Sequence, residues 1–399
     1  MYNELAPTYE ELKKRSELAG ELISERIWEG MHNVNVKTDD GLKKLWLENV
    51  RKNLDSSYFD KYMWANELTG LGINKAIIGV GAGPSFKKNE DVLKEISDLC
   101  VMQKLDDQPF IIIASNHMYK PLLEKGIYPH FVMLIDGGDA VYEHLCVDVP
   151  RDDKTILVAP LQIHPKVLKK WMKQGRSAVI CNSFDKEKQK MYQEHTGKDP
   201  DAIGLEFGGN VLNCMWSLAV RYLKSSVFIS VGNDLCFPRL EYLDDRRKGY
   251  YATGDYDINI KNRRDEARST FGWMGFELKK SAIVDGHYVD FKPVNMSHTL
   301  FTYKVWLESQ VIMNSESGVS FHYYNCSEGG ALGVMSKGST KEEMAEKDNW
   351  YLLDWHPIVG KRYHTRTLES TSWQFLQARE ALTKKKLEGI LTDAKYAAV

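Results

Sequence analysis

The chain has 399 residues, 43% hydrophobic and 27% charged, a composition that excludes disordered and fibrous classes. Its formal net charge of -2 gives no global attraction to nucleic acid or acidic lipid, so an anionic ligand has to be held by local groups. No apolar stretch reaches the length of a membrane span, and the charged N-terminus MYNELAPTYEELKKRSELAG lacks a signal-peptide core. The six cysteines, Cys100, Cys146, Cys181, Cys214, Cys236 and Cys326, form no C-x-x-C pair. They are expected as buried thiols in a reducing compartment, and the protein as cytoplasmic.

Thr8 to about Gly70 is rich in Glu, Lys, Leu and Trp with helical spacing, as in Leu18 and Leu22, and reads as a helical extension over residues 1–70. The pattern then changes at Lys75 to Ser85, KAIIGVGAGPS. Ala76, Ile77, Ile78 and Val80 form an apolar run expected as a strand covered on both faces, and the run ends in Gly81, Gly83, Pro84 and Ser85. Glycines let the backbone turn sharply or approach a ligand, and proline suits the first turn of a helix. Backbone N–H groups of such a strand-to-helix turn can hold an anion, most commonly phosphate. The spacing is neither G-x-G-x-x-G nor a Walker A loop, so a turn without a ligand is an equal alternative.

Strand and helix continue to alternate. Pro109 to Ala114 is a second apolar strand, followed by Ser115-Asn116-His117 and a short helix from Tyr119 to Lys125. Phe131 to Ile135 is a third strand and ends in Asp136-Gly137-Gly138-Asp139. Those two carboxylates can hold Mg²⁺ or orient sugar hydroxyls, or form a solvated turn. Thr155 to Ala159 and Ser177 to Cys181 are further strands, with a helix over Pro165 to Gln174 between them. Asp185 to Asp201 reads as a polar surface excursion or lid in which Lys186, Lys188 and Lys190 are solvated rather than phosphate ligands, and His164 and His195 read as isolated histidines near surface turns, not catalytic groups.

Gly208-Gly209-Asn210 precedes a helix from Val211 to Leu223, with Asn210 as its cap, and Val227 to Val231 is a strand ending in Gly232-Asn233-Asp234. This alternation predicts a doubly wound α/β domain with a mostly parallel sheet, binding its ligand at the carboxyl ends of the strands. A loop-rich insertion spans about residues 237–298, with tyrosines and arginines suited to closing over an anionic substrate. Leu300 to Met313 reads as a helix and Tyr323 to Ala331 as a strand running into a glycine turn. Residues 339–399 are expected as a helical tail, leaving 71–338 as the main domain.

Five motifs in order resemble the 6-hydroxymethylpterin diphosphokinase MptE-like family, which includes motility accessory factors and has a fold related to bacterial sialyltransferases. They are GAGPS (Gly81 to Ser85), KPLLEKGIYPHFVMLID (Lys120 to Asp136), GGNV (Gly208 to Val211), GNDL (Gly232 to Leu235) and NCSEGGALG (Asn325 to Gly333). The resemblance covers roughly Lys75 to Gly333. It departs from the usual pattern at Asn210, where serine is common, at Asn233, where glutamine is common, and in SNHMY before Lys120.

The resemblance implies a Rossmann-like domain and a nucleotide-dependent transferase. The favoured activity is a glycosyltransferase using a CMP-activated acidic sugar, with a glycan, protein or small-molecule acceptor and no certain cofactor. The alternatives are a Mg²⁺-dependent diphosphokinase moving diphosphate from ATP to a pterin-like alcohol, and a non-catalytic nucleotide-binding or scaffold protein. Under the favoured activity Gly81, Gly83, Pro84 and Ser85 face phosphate, Ser115 and Asn116 contact nucleotide, and Asp136 fixes hydroxyls. Gly209, Asn210, Asp234 and Glu328 line the crevice, and His287 or His298 is the general base. Asp136 and Asp139 are metal ligands only for the diphosphokinase. Nucleic acid is not an expected partner, and a homo-oligomer is compatible with the sequence.

Overall fold

The computed structural model describes residues 42–145, 153–236, 272–278, 289–295, 298–316, 321–336, 350–352 and 362–381. Its centre is a nine-stranded parallel sheet in the order β1-β6-β5-β4-β3-β2-β7-β10-β13. The strands are β1 (Met63–Trp64), β2 (Ala76–Val80), β3 (Phe110–Ser115), β4 (Phe131–Met133), β5 (Ile156–Pro160), β6 (Ala178–Cys181), β7 (Val227–Val231), β10 (His322–Asn325) and β13 (Tyr363–Thr365). Two further pairs are antiparallel: β8 (Gly272–Leu278) with β9 (Val289–Asn295), and β11 (Val334–Ser336) with β12 (Trp350–Leu352).

The apolar runs form strands because helices cover both sheet faces, so no polar alternation is required. Alternate residues of β3 go to opposite cores: Ile111 and Ile113 to one, Phe110, Ile112 and Ala114 to the other. The first face packs α7 (Val211–Leu218), which continues as a π-helical turn to Leu223, and α8 (His298–Glu316). The opposite face carries α1 (42–54), α2 (Glu90–Val101), α3 (Asn116–Glu124), α5 (Pro165–Lys173), α6 (Lys186–Thr196) and α9 (368–381). A short α4 (Tyr142–Leu145) follows β4. This is the doubly wound, Rossmann-like α/β arrangement expected from the sequence.

The chain winds outward from β2 through β3, β4, β5 and β6, and then returns to place β7 on the other side of β2. The strand order therefore reverses between β2 and β7. At such a reversal the two flanking connections leave on opposite faces and open a crevice at the carboxyl ends of the strands.

The sheet extends beyond the expected main domain. Met63 and Trp64 pair with β6, and Tyr363 to Thr365 pair with β10, so both flanking segments contribute strands as well as helix. Two- and three-residue edge strands are too short to show a period, which is why only helix was expected there. The loop-rich insertion contains the antiparallel β8–β9 pair. Within the segment read as a surface excursion or lid, residues 186–196 form a regular helix. Within it Lys188 is 4% exposed: its ammonium donates to Gln162 Oε1 at 2.7 Å and stands 4.5 Å from the Trp46 ring centre, so it is not solvated.

Cys100, Cys181, Cys214 and Cys326 are buried free thiols, and burial pushes Cys100 up to about 11 and Cys181 and Cys326 up to about 12. Cys146 lies outside the described residues. Among the described residues no helix is long and apolar enough to cross a membrane.

Candidate functional site at the reversal of strand order

Consecutive strands β4, β3, β2 and β7 end in Asp136, Ser115-Asn116, Gly81 to Ser85 and Asp234. Three strand spacings of about 4.8 Å make this edge about 14 Å long.

At its centre the turns after β2 and β7 interlock. The Gly81 N–H donates to the Val231 carbonyl at 2.8 Å and the Gly83 N–H to the Gly232 carbonyl at 2.9 Å. A Cβ on Gly81 would stand 2.5 Å from the Gly232 oxygen, and one on Gly83 would stand 2.7 Å from it. Close backbone contact, not ligand approach alone, therefore requires these glycines.

Ser85 is engaged by protein. Its N–H donates to Asp234 Oδ2 at 3.0 Å and its hydroxyl donates to Oδ1. A carboxylate thus occupies the position at this turn where the sequence suggests a phosphate. Burial raises the Asp234 carboxyl above its ordinary value, against the lowering effect of the two Ser85 bonds and of Lys88. Pro84–Lys88 is a 3-10 helix, and the α-helix begins only at Glu90. Its N-cap Asn89 spends its side chain on the Cys326 carbonyl at 3.0 Å.

The loop after β10 closes the other side. Ala331 N–H donates to the Asp234 carbonyl at 2.8 Å, and Asn233 N–H donates to Ser327 Oγ at 2.9 Å. Gly330 has φ of +90°, and a Cβ on it would lie 2.5 Å from Asp234 Cα. Glu328 is in the left-handed region at φ of 56°, and its carbonyl accepts from Lys88 Nζ at 2.5 Å. Glu308 Oε1 accepts from the Gly333 N–H at 2.8 Å while paired with the buried Lys304, which ties the loop to α8.

Gly208 and Gly209 both have positive φ, and a Cβ on either would strike the Trp306 or Tyr303 ring of α8. α8 therefore covers that turn. Asn210 caps α7 as expected, accepting from the Asn213 N–H at 2.8 Å, and Leu212 of α7 lies against Gly81.

The β3 end differs. Ser115 is 7% exposed and is the N-cap residue of α3, yet its hydroxyl makes no capping bond and has no partner among the described residues. Asn116 Nδ2 stands 3.1 Å from His144 Nδ1, and the His117 and His144 rings meet edge to face at 4.6 Å. Sequence reading chose neither histidine; His144 lies 28 residues from Asn116, and only the fold brings them together.

Asp136 is exposed, and its Oδ1 accepts from the Gly138 N–H at 2.8 Å. Asp139 instead pairs with His164 Nε2 at 2.7 Å. The two carboxylates of the motif therefore engage separate partners. Among the described residues no group of three or more His, Cys, Asp or Glu side chains is placed to hold a metal ion. His287 lies outside the described residues, and His298 opens α8 with its side chain outside them as well.

A search of curated proteins finds no match to this chain. Among solved structures, a MAf glycosyltransferase from Magnetospirillum magneticum AMB-1 aligns at 17% identity with a TM-score of 0.48. The alignment covers 72% of this chain and 37% of that one, so this chain spans just over a third of its length. The family match begins within α1, which the sequence reading placed outside the resemblance, and ends before Asn325 to Gly333. Residues 44–239 match the model of the family described as 6-hydroxymethylpterin diphosphokinase MptE-like, a span that holds four of the five motifs on which the resemblance rests.

Proposed function

We propose that the chain is a nucleotide-dependent transferase, and that it transfers an acidic sugar from a CMP-activated donor. The observation that carries this reading is the reversal of strand order between β2 and β7, where four neighbouring strands end in polar or glycine-rich segments. An edge about 14 Å long suits a nucleotide lying across the strand ends. Asp136, exposed beyond β4, is suited to ribose or sugar hydroxyls; Ser115 and Asn116 face the middle of the nucleotide; and the interlocked backbone at Gly81, Gly83 and Ser85 forms the floor.

In such a transfer the acceptor oxygen bonds to the anomeric carbon as the carbon–oxygen bond to the CMP phosphate breaks. The acceptor's proton passes to a general base, and the departing phosphate carries negative charge. Donors placed around that phosphate lower the barrier. The arrangement of carboxylates is compatible with a reaction that relies on such donors.

The experiment is a thermal-shift series with CMP, CDP, UDP, GDP, AMP and ATP, each with and without Mg²⁺, since a ligand that binds the folded state raises the midpoint. A CMP shift without Mg²⁺, followed by CMP release from a CMP-sugar, supports the proposal. Asp136→Ala is expected to lower kcat/KM for the CMP-sugar by about tenfold or more, in the range of lost hydrogen bonds to a substrate. Full activity in that variant would remove Asp136 from the site. The family's description favours a second reading, the diphosphokinase, and an ATP shift that requires Mg²⁺ would select it.

A further inference from the structure

The first turn of an α-helix presents N–H groups without intrahelical partners, and the positive end of the helix dipole lies there. Among the described residues, three α-helices answer that need with the side chain of the N-cap residue. Asn210 accepts from Asn213 N–H on α7, Asp185 from Lys188 N–H on α6, and His164 from Lys166 N–H on α5. α3 carries a good capping residue, Ser115, in an extended conformation at φ of -66° and ψ of 151°, and its hydroxyl makes no such bond.

The hydroxyl is also unpartnered by any other described group, although Ser115 is more than nine-tenths buried. A buried hydroxyl without a partner is costly, and native structures retain one mainly where a ligand or water completes it. Ser115 points from β3 to the same face as Ile111 and Ile113, the face on which α7 packs. It is one strand from the Gly81 turn, where the Ser85 N–H is already taken by Asp234.

We infer that the phosphate of the nucleotide binds at the N-terminus of α3, on the Ser115 hydroxyl and the first-turn amides, and not at the glycine-rich turn. This inference rests on the proposed function for its nucleotide, and on the orphaned Ser115 hydroxyl for its location. The His117–His144 pair stands beside it in the chain, with His144 Nδ1 3.1 Å from the side-chain amide of Asn116, the residue that follows Ser115.

The test is calorimetric titration of the full chain with CMP, cytidine and inorganic pyrophosphate. The wild type binds CMP and pyrophosphate. Ser115→Ala weakens both about tenfold, the scale of one hydrogen bond to a charged group. Ser115→Asp places a carboxylate at the seat, abolishes binding of both, and leaves cytidine within about twofold of its wild-type affinity, since a base and ribose carry no charge to repel. Because aspartate is a favourable N-cap residue, that variant folds with a melting midpoint at or above the wild type's. CMP affinity unchanged in Ser115→Asp overturns the site even if CMP binds. Pyrophosphate binding that is lost in Ser115→Asp, together with silence toward CMP and cytidine, keeps the anion seat and removes the nucleotide reading. Silence of the wild type toward both CMP and pyrophosphate overturns the inference.

Discussion

Two neighbouring strand ends teach opposite lessons. The turn after β2 has the glycines, proline and serine that mark a phosphate loop, yet its polar groups are consumed by protein: Gly81 and Gly83 by β7, and Ser85 by Asp234. The turn after β3 has no glycine, and it carries a buried hydroxyl, on Ser115, that has no partner among the described residues. Glycine marks close approach of backbone, whether that approach is to a ligand or to another strand. An orphaned polar atom is the more direct sign of a ligand, because it costs free energy until something binds.

The largest effect should come from breaking the interlocked side. Gly330→Ala forces a Cβ to 2.5 Å from Asp234 Cα at φ of +90°, combining a backbone clash with left-handed strain. A loss of about 4 kcal/mol is expected from these two mechanisms together, read as a lower urea midpoint. A loss below about 1 kcal/mol would mean that the loop after β10 moves freely and does not clamp Asp234.

Next in size is an acid effect on the frame that carries β3. The Ile112 N–H donates to His130 Nδ1 at 3.0 Å, and His130 Nε2 lies 2.5 Å from Gln108 Oε1. Burial lowers the His130 pKa to about 4, from about 6.5 for a free imidazole. The unfolded chain then binds more protons between these values, so stability is full above about pH 6.5 and is lost as pH falls toward 4. The difference corresponds to about 3 kcal/mol. His130→Gln should flatten this part of the pH profile, and an unchanged slope would assign the acid loss to other groups.

Asp234→Asn tests the carboxylate in the crevice. Its folded-state value is raised, with burial the largest cause, so the folded chain holds the proton more tightly than the unfolded chain. The stabilisation from Asp234 is therefore greatest at low pH and declines as pH rises through the raised value. The variant should cost about 1–2 kcal/mol at pH 4 and less at pH 7. A penalty that grows with pH would show that the negative charge itself holds Ser85.

Much of the architecture was legible because β2, β3, β5, β6 and β7 are short apolar runs between turn residues, and two-faced burial needs nothing else. The pairings at the site were not legible, because Ser85 and Asp234 are 149 residues apart and each alone resembles an ordinary turn residue. Lys188 was misread for a related reason. Its sequence neighbours are solvated charges, while the groups that bury it, Gln162 and Trp46, come from elsewhere in the chain. Asp136 and Asp139 shared a motif but found different partners, since a single turn directs one back to Gly138 and the other to His164.

The smallest effect separates the two strand ends most cleanly. Asn210 and Ser115 are both N-cap residues at the carboxyl edge of one sheet, but only the Asn210 side chain makes its capping bond. Asn210→Ala should cost about 1 kcal/mol, the ordinary value for a cap. Ser115→Ala removes a hydroxyl that has no bond to lose and relieves an unsatisfied buried group, so its effect should lie within about 0.5 kcal/mol of zero or be stabilising. Denaturant titration of the two variants in phosphate-free buffer reads the difference directly. If Ser115→Ala costs as much as Asn210→Ala, the hydroxyl is a cap in solution and α3 has no open seat. If the penalty of Ser115→Ala appears only when pyrophosphate is added, the hydroxyl contributes through a bound anion, since a ligand stabilises the fold in proportion to its affinity.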